Sequence, residues 1–171
     1  INDQIAELKE LAKKENLGNC IMTGDENYIR KYLAEKHPDL KNEFEIFDTG
    51  AEFAPAAKKA VELIRSGKGD LILKGKCDTA TLLKAVLNKE NGLRTGNTMS
   101  DVLAYETDDR ILLMGDGGFL PLPDLSEKIS IVKNCVTVAH KLGKEIPKVA
   151  LLTHSEAINP KVQSTVDAAV I

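Results

Sequence analysis

The sequence predicts an α/β protein with three α/β/α layers, built on a mostly parallel sheet that an antiparallel hairpin interrupts. Two observations support the parallel sheet: short apolar runs alternate with amphipathic helical patterns, and glycine or aspartate follows the ends of several runs. This alternation favours parallel strands with right-handed crossovers. A third observation predicts the hairpin, because two later runs are separated by only residues 107–110, too short a connection for anything but antiparallel pairing.

The first part of the chain predicts two helices and two strands. Residues 1–14 carry apolar side chains at helical spacing, and residues 19–22 form a short apolar run. Thr23-Gly24-Asp25 ends this run and can cap a second helix, which must end before Pro38 because the residue preceding a proline is pushed out of the helical region. Residues 44–47 are the second predicted strand.

The next segment predicts a helix, a strand and another helix. Ala54-Pro55 begins the first of these helices, and Gly67 lies past its end. Residues 71–73 form an apolar run too short for a helix and are predicted as the third strand. Asp78 or Thr79 then caps a helix with an apolar face, formed by Leu82, Leu83, Val86 and Leu87.

The second half predicts the hairpin, two helices and one more strand. The hairpin comprises residues 102–106 and 111–114, and Asp124 with Glu127 forms a capping box for a long helix. The predicted inner face of that helix contains Ile129, Val132, Cys135 or Val136, Ala139 and Leu142. Residues 148–153 are predicted as a strand, and Asn159-Pro160 as the start of a last helix. The apolar pattern of this helix runs to residue 171, so we expect the sequence to be a fragment of a longer protein.

Bulk composition restricts the class of protein. Of the 171 residues, 43% are hydrophobic and 29% charged, which is typical of a soluble globular protein. The net charge of −3 argues against nucleic-acid binding, and no apolar run approaches membrane-spanning length, so we expect neither partner. Cys20, Cys77 and Cys135 fit no metal or redox spacing, which predicts no metal site and a reducing cytoplasm as the location.

Residues 70–102 are the strongest candidate for an anion site. A strand, a glycine turn at Gly75 and a helix start at Thr79 aim backbone N–H groups and the positive end of a helix dipole at one point. Cations and hydroxyls suited to phosphate oxygens surround this point, among them Lys74, Lys76, Lys84, Arg94, Thr95 and Ser100. A solvated basic loop before an ordinary amphipathic helix explains the same pattern.

Arg94 is the first candidate, because a guanidinium can hold a phosphate through two parallel hydrogen bonds. Its alternative role is a surface ion pair with Glu90. Asp116, in Gly115-Asp116-Gly117-Gly118, supplies either a carboxylate for the site or an Asx turn. The spacing of these glycines does not fit a dinucleotide motif. Cys77 lacks the partner base that a nucleophilic cysteine requires.

The segment TATLLKAVLNKENGLRTGNTMSDVLAYE resembles phosphate butyryltransferases, within the wider phosphate acetyl/butyryltransferase family. Further segments agree in the same order: ILLMGD, ISIVKNCVTVAHKLG, PKVALL and SEAINPKVQSTVDAA. The resemblance implies an isocitrate/isopropylmalate dehydrogenase-like fold that is truncated before its second domain is complete. Residues 1–145 would be the first α/β domain, carrying half of a phosphate/CoA site, and residues 146–171 would begin the second.

The resemblance also implies a function, namely reversible transfer of a butyryl or similar short acyl group between CoA and inorganic phosphate. CoA and acyl-CoA would be substrates, with no permanently bound cofactor, and the enzyme would be a homo-oligomer. The implied catalytic residues are Arg94, Ser100 and Asp116. The implied phosphate- and CoA-binding residues are Gly75, Thr79, Lys84, Thr95, Ser155, Asn159 and Pro160.

Three positions depart from the family pattern. Lys84 stands where an arginine is usual, Asp101 replaces a histidine and Leu120 replaces an asparagine. The family's Ser-Arg-x-Asp segment is absent from this chain. These differences leave open a second hypothesis, a non-catalytic CoA- or phosphate-binding fragment. A dehydrogenase of the related fold would need metal-binding aspartates and a nicotinamide loop, which we do not find in the sequence.

Overall fold

The chain divides into two compact units, Ile1–Thr95 and Gly96–Ile171. The computed structural model describes residue 14 and residues 19–171. The helix predicted for residues 1–14 therefore lies outside the described residues, apart from Lys14, which is helical. The predicted domain boundary after residue 145 concerns a longer protein and stays a prediction.

The first unit contains a parallel pair of strands. Strand β1 (Ile21–Gly24) pairs with β2 (Glu45–Asp48), and Ile21 lies opposite Glu45. Helix α1 (Glu26–Lys36) connects them, followed by a short 3-10 turn. The Asp25 side chain accepts a hydrogen bond of 2.9 Å from the Tyr28 N–H and so caps α1. These elements confirm the predicted strand–helix–strand order, with strand bounds shifted by one or two residues.

Helices α2 (Phe53–Arg65) and α3 (Thr79–Val86) form the core of the first unit. Its buried centre consists of Ala57 and Val61 from α2 and Ala85 from α3. Partly buried apolar side chains complete this core, namely Ile72, Cys77, Leu82, Val86 and Leu93. The small alanine side chains allow the two helix backbones to approach closely. Because α3 is too short to be stable in isolation, its stability comes from this packing.

The predicted third strand, residues 71–73, does not form. Ile72 packs against the core, whereas Leu71 and Leu73 are 80% and 59% exposed. The inward and outward alternation of a strand is therefore present, but no described strand lies alongside to accept the backbone hydrogen bonds that define a ladder. Among the described residues, the sheet of the first unit has two strands.

The second unit contains the predicted hairpin. Strand β3 (Leu103–Glu106) pairs antiparallel with β4 (Ile111–Met114), with Leu103 opposite Met114. The Thr107 N–H donates to the Arg110 carbonyl at 2.9 Å and closes the turn. Helix α4 (Leu125–Lys141) follows, and its capping box forms as predicted. The prediction for its inner face is wrong at Leu142, which is 54% exposed beyond the helix end.

The segment after α4 differs from the prediction in two respects. Residues 148–153 form no strand, and Leu152 is 91% exposed, because no described neighbour pairs with this segment. The last helix, α5 (Gln163–Val170), begins later than predicted. The reason is that the Asn159 side chain accepts from the Lys161 N–H at 3.0 Å, which holds residues 159–162 in a turn instead of a first helical turn.

Both units confirm an α/β protein with one parallel and one antiparallel pair of strands among the described residues. The three-layer arrangement and the dehydrogenase-like fold stay predictions. Within residues 19–171, no helix is both long enough and apolar enough to cross a membrane.

Candidate functional site

The predicted site residues fall in both units. In the first unit, the predicted anion corner precedes α3. The Asp78 side chain accepts a hydrogen bond of 2.9 Å from the Thr81 N–H. The Thr81 hydroxyl, followed by this bond from the Thr81 N–H and the other N–H groups of the first turn, lowers the pKa of Asp78 below its ordinary value. An internal carboxylate therefore already faces the helix N-terminus that was predicted to receive an external anion.

Lys74 and Cys77 are part of the turn itself. The Lys74 ammonium donates to the Cys77 carbonyl at 3.0 Å, and the Cys77 thiol donates to the Asp78 carbonyl at 3.3 Å. Cys77 also packs against the core of the first unit. These contacts support a structural role for Cys77. Gly75 and Thr79 are exposed on either side of this turn.

The turn between α3 and Arg94 is held by several hydrogen bonds. The Asn88 side chain accepts from the N–H groups of Glu90 and Asn91 at 3.0 and 2.9 Å. The Leu93 N–H donates to the Val86 carbonyl at 2.7 Å. At Gly92, an added Cβ would lie 2.4 Å from the carbonyl oxygens of both Asn88 and Val86, so only glycine fits there without displacement of the backbone.

Arg65, the last residue of α2, braces the same turn. Its Nη1 atom donates to the Gly92 carbonyl at 2.8 Å and to the Glu90 carbonyl at 3.3 Å. The guanidinium thus satisfies carbonyl groups that the tight turn leaves without helical partners. We did not predict this role from the sequence, although a basic residue at a helix C-terminus is a common partner for such carbonyls.

Arg94 follows the braced turn and is exposed. Among the described residues it forms no ion pair, so the predicted alternative pairing with Glu90 is wrong. Lys84, in the last turn of α3, is likewise exposed and forms no ion pair within the described part of the chain. Thr95 is exposed beside Arg94. Of the predicted site residues in the first unit, the two cations Lys84 and Arg94 are therefore exposed and form no ion pair within the described part of the chain.

In the second unit, Ser100 is held by a residue of α4. The Asn134 Nδ2 atom donates to the Ser100 Oγ at 2.8 Å and to the Thr98 carbonyl at 3.1 Å. Ser100 is half-buried at this point. The segment before β3 is thus fastened to the middle of α4 by one side-chain amide.

Asp101 and Asp116 lie together at the open end of the hairpin. The Asp101 Oδ1 accepts from the Gly117 N–H at 2.7 Å. The Asp116 Oδ1 accepts from the N–H groups of Gly118 and Phe119 at 2.8 and 2.6 Å, which is the Asx turn of the simpler hypothesis. The second oxygen, Oδ2, is buried and meets no N–H or O–H donor in the described residues. It can gain a hydrogen bond from Asp101 only if a proton is present between the two carboxyl groups.

Two ionisable groups in this cluster have shifted pKa values. Burial acts to raise the pKa of Asp116, but the hydrogen bonds from the N–H groups of Gly118 and Phe119 outweigh it and lower that pKa. Burial raises the pKa of the Cys135 thiol, and the charges of Asp101 and Asp116 raise it further. At neutral pH the cluster therefore contains an ionised Asp116 and a neutral thiol.

The glycines of this cluster permit close packing against α4. A Cβ at Gly115 would lie 2.5 Å from the Cys135 Sγ and 3.1 Å from the Asp101 carbonyl oxygen. Leu120, one of the three departures from the family pattern, is half-buried, and its backbone N–H helps to lower the pKa of Asp116. Asp101 and Cys135 thus lie next to the predicted site residue Asp116, and neither of them was predicted as a site residue.

The remaining predicted residues lie in the loop before α5. The Ser155 hydroxyl donates to the Ala157 carbonyl at 3.3 Å, and the Asn159 side chain closes the turn described above. The Thr165 hydroxyl donates to the Asn159 carbonyl at 3.0 Å and fixes this loop to α5, while Pro160 is exposed. The recorded hydrogen bonds of Ser155 and Asn159 are local, and none joins these residues to Ser100 or Asp116.

Two site residues that we did not predict, Asp101 and Asn134, could have been found from the positions of polar residues in the sequence. Extending the hairpin register by two residues from the Leu103–Met114 pair places Asp101 directly opposite Asp116. Asn134 is an uncharged polar residue between apolar positions of α4, with Ile131 three residues before it. Within the described residues, no group of three or more His, Cys, Asp or Glu side chains is arranged to hold a metal ion.

Comparison with known proteins gives one family. A sequence model of the family described as Phosphate acetyl/butaryl transferase matches residues 5–170. The chain is 45% identical to a phosphate butyryltransferase of Clostridium acetobutylicum, over 99% of this chain and 56% of the relative. It is 37% identical to a phosphate butyryltransferase of Clostridium beijerinckii, with the same coverage, and 36% identical to a phosphate acetyltransferase of Thermotoga maritima, 58% of which is covered.

A solved structure shares the fold. The crystal structure of a branched-chain phosphotransacylase from Enterococcus faecalis matches with a TM-score of 0.67 and 24% identity. The match covers 90% of this chain and 62% of the solved one. The chain thus spans a little more than half the length of the curated relatives named here.

Proposed function

The chain belongs to the phosphate acetyl/butyryl transferase family, and from this premise we propose that it forms part of an enzyme that transfers a short acyl group reversibly between CoA and inorganic phosphate. In the forward direction a phosphate oxygen attacks the thioester carbonyl of acyl-CoA. The carbon–oxygen bond to phosphate forms, the carbon–sulfur bond breaks, and the CoA thiolate leaves and takes up the proton that the attacking hydrogen phosphate loses. Acyl phosphate and free CoA are the products, and no acyl-enzyme intermediate is required.

The observation that carries this proposal is the state of Arg94. Its backbone follows a turn fixed by Asn88, Gly92 and Arg65, while its guanidinium has no ion-pair partner among the described residues. An exposed guanidinium that follows a fixed turn and forms no ion pair is suited to bind a phosphate through two parallel charge-assisted hydrogen bonds. The alternative ion pair with Glu90 is absent among the described residues, so the guanidinium is not occupied by that carboxylate.

Lys84 and Arg94 are the proposed cationic groups of the phosphate site, with Thr95 as a neighbouring hydroxyl. We assign less of the binding to the amides between Gly75 and Thr79, because the Asp78 carboxylate already accepts from the first turn of α3 and would repel an anion. Lys84 contributes a point charge without the planar fork of an arginine, so it can attract phosphate with less directional control.

Ser100 and Asp116 are the proposed polar groups of the second unit. Ser100 can donate a hydrogen bond to the oxygen that gains negative charge when the carbonyl is attacked. An ionised carboxylate whose pKa is lowered is a weak base, so we propose that Asp116 orients a donor of the substrate and does not abstract a proton. Ser155, Asn159 and Pro160 are proposed to contact CoA from their loop.

The proposal includes the arrangement of the whole enzyme. We infer an isocitrate/isopropylmalate dehydrogenase-like fold in which residues 1–145 belong to the first domain and residues 146–171 begin the second. We further propose a cytoplasmic homo-oligomer that uses CoA as substrate and holds no permanent cofactor.

A direct assay tests the function. CoA release from butyryl-CoA in the presence of phosphate is measured with a thiol reagent, for this chain and for the product of the complete gene. We expect turnover that depends on both substrates, and formation of one butyryl phosphate for each CoA released. Hydrolysis of butyryl-CoA without butyryl phosphate, or the absence of turnover in both proteins, would contradict the proposal. Saturable CoA binding without turnover in both would favour the non-catalytic alternative.

A further inference from the structure

The contact between Asn134 and Ser100 fixes the direction of a hydrogen bond. The Thr98 carbonyl, 3.1 Å from the Asn134 Nδ2, can only accept. The amide must therefore present its nitrogen, not its oxygen, to Thr98. Because the same nitrogen lies 2.8 Å from the Ser100 Oγ, its second hydrogen points at the serine oxygen. The orientation of the amide follows from the chemistry of a backbone carbonyl and not from a choice between similar atoms.

This orientation makes the Ser100 Oγ an acceptor toward Asn134. A serine hydroxyl carries one hydrogen and two lone pairs, so its own hydrogen must point in another direction. Within the described residues no acceptor for this hydrogen is recorded. The half-buried hydroxyl is therefore left with one unused donor, and rotation that would turn this donor toward α4 is opposed by the Asn134 N–H.

Asn134 contacts Ser100 from a well-packed part of α4. It lies in the interior of a helix of 17 residues that begins with a complete capping box. Ile131, three residues earlier, is buried, and Cys135, the next residue, packs against Gly115. The amide therefore projects from a packed part of the helix and not from a frayed end, and it loses little additional side-chain freedom when it holds Ser100.

We propose that Asn134 is a positioning residue that holds the Ser100 hydroxyl as a hydrogen-bond donor toward an oxygen of the reacting acyl or phosphoryl group. This inference rests on the proposed acyl transfer and adds a residue to it. It also assigns the direction of the serine: Ser100 donates to the substrate and is neither the nucleophile nor a base. A donor whose direction is set before the substrate binds loses no reorganisation energy during the reaction.

The test is a double-mutant cycle in the product of the complete gene, with variants Ser100→Ala, Asn134→Ala and both together. We expect Ser100→Ala to lower kcat by about tenfold or more, as for removal of one oriented donor. Asn134→Ala should lower kcat by roughly three- to tenfold with little change in the KM for CoA, and it should have no further effect when Ser100 is already alanine. Asn134→Asp, which places a carboxylate beside the Thr98 carbonyl and lets the serine donate inward, should lower kcat more than Asn134→Ala.

Thr137→Ala, an exposed position of the same helix, is the matched control and should leave kcat unchanged. An equal loss from Asn134→Ala with and without Ser100 would assign Asn134 a purely structural role and overturn the inference, as would an unchanged kcat. If Asn134→Ala and the milder Asn134→Ser both fail to fold, Asn134 is structural and the inference also fails. An inactive wild-type protein would instead remove the proposed function, and this inference with it.

Discussion

Arg94 and Lys84, the two proposed phosphate ligands of the first unit, carry the same charge but differ in geometry. Arg94 follows a turn with a fixed backbone, and its planar guanidinium offers two parallel donors. Lys84 lies in the last turn of a short helix and offers a compact charge on a flexible stem. At the scale of single residues we therefore expect most of the directional binding of phosphate to come from Arg94.

Substitution of Arg94 is the first test at this scale. Loss of charge-assisted hydrogen bonds worth about 1.5–3 kcal/mol predicts that Arg94→Ala raises the KM for phosphate roughly 10- to 100-fold. Arg94→Lys should recover only part of this loss, because the fork is missing. Steady-state kinetics with varied phosphate, at fixed butyryl-CoA, provides the measurement.

Arg30→Ala is the matched control for the Arg94 variants. Arg30 is an exposed arginine of α1 that pairs with Glu26 at 2.6 Å, so its removal changes the net charge equally without touching the proposed site. Equal kinetic constants for Arg94→Ala and Arg30→Ala would exclude Arg94 from the phosphate site.

Asp101 illustrates a residue whose role depends on its neighbour. In the sequence it is a departure from the family pattern beside Ser100. In the structure it accepts from the Gly117 N–H and adjoins Asp116. Extension of the hairpin register places the two aspartates opposite each other. The sequence alone does not predict whether the strand pairing continues beyond Leu103. The hydrogen bond to Gly117 shows that the two segments stay adjacent beyond the last ladder pair.

At the scale of secondary-structure elements, Arg65 connects α2 to the turn that precedes Arg94. The contact combines two roles, because it satisfies turn carbonyls and it fixes the backbone from which a proposed ligand projects. The order of helix, turn and arginine is visible in the sequence. Arg65 and Gly92 are 27 residues apart in the sequence, and only the packing of α2 on α3 brings them into contact.

Removal of Arg65 should therefore have a mixed effect. Because Arg65 is exposed, we expect Arg65→Ala to lower the free energy of unfolding by only about 1 kcal/mol. The loosened turn should raise the KM for phosphate roughly threefold, and this increase should vanish when Arg94 is also alanine. Urea unfolding and phosphate kinetics measure the two effects separately.

Lys58→Ala, an exposed position of the same helix, controls for the loss of a positive charge from α2. A KM increase from Arg65→Ala that persists in the Arg94→Ala background would mean that Arg65 acts through something other than Arg94.

The two predicted strands that do not form, residues 71–73 and 148–153, share a physical cause. Each contains the apolar residues that strands favour, and Leu71 and Leu152 are mostly exposed. Apolar content and alternation describe how a segment would lie in a sheet, but a strand exists only where a neighbour provides the ladder. Helix α5 starts late for a related reason, since the local hydrogen bond of Asn159 competes with the first helical turn.

At the scale of the whole molecule, three aspartates with lowered pKa values couple stability to pH. Asp78 caps α3, Asp116 closes its turn, and Asp167 pairs with Lys128 at 2.5 Å and with Gln163 at 2.7 Å. A folded-state pKa below the unfolded value of about 3.9 stabilises the folded protein above that pH. The contribution is lost as the pH falls through the lower folded-state pKa.

Unfolding by urea at pH 7, 5, 4, 3 and 2 tests this coupling. We expect the free energy of unfolding to be nearly constant from pH 7 to 5 with respect to these three groups, and to fall below about pH 4. Asp167→Asn should lower the stability at pH 7 and reduce the acid dependence, because the charged partner of Lys128 is gone. A variant with the same acid dependence as the wild type would show that Asp167 does not have the lowered pKa.

The sequence by itself determined the family, the α/β class, the parallel strand pair, the hairpin and the cap at Asp124, and it restricted two other caps to residues 23–25 and 78–79. These features depend on short-range chemistry, namely alternation, proline and glycine restrictions, and side chains that reach the next turn. Only the tertiary structure brought Arg65 to Gly92, Asn134 to Ser100 and Cys135 to Gly115. It also left residues 71–73 without a ladder, because contacts between distant residues depend on how helices and strands pack together and not on the local sequence.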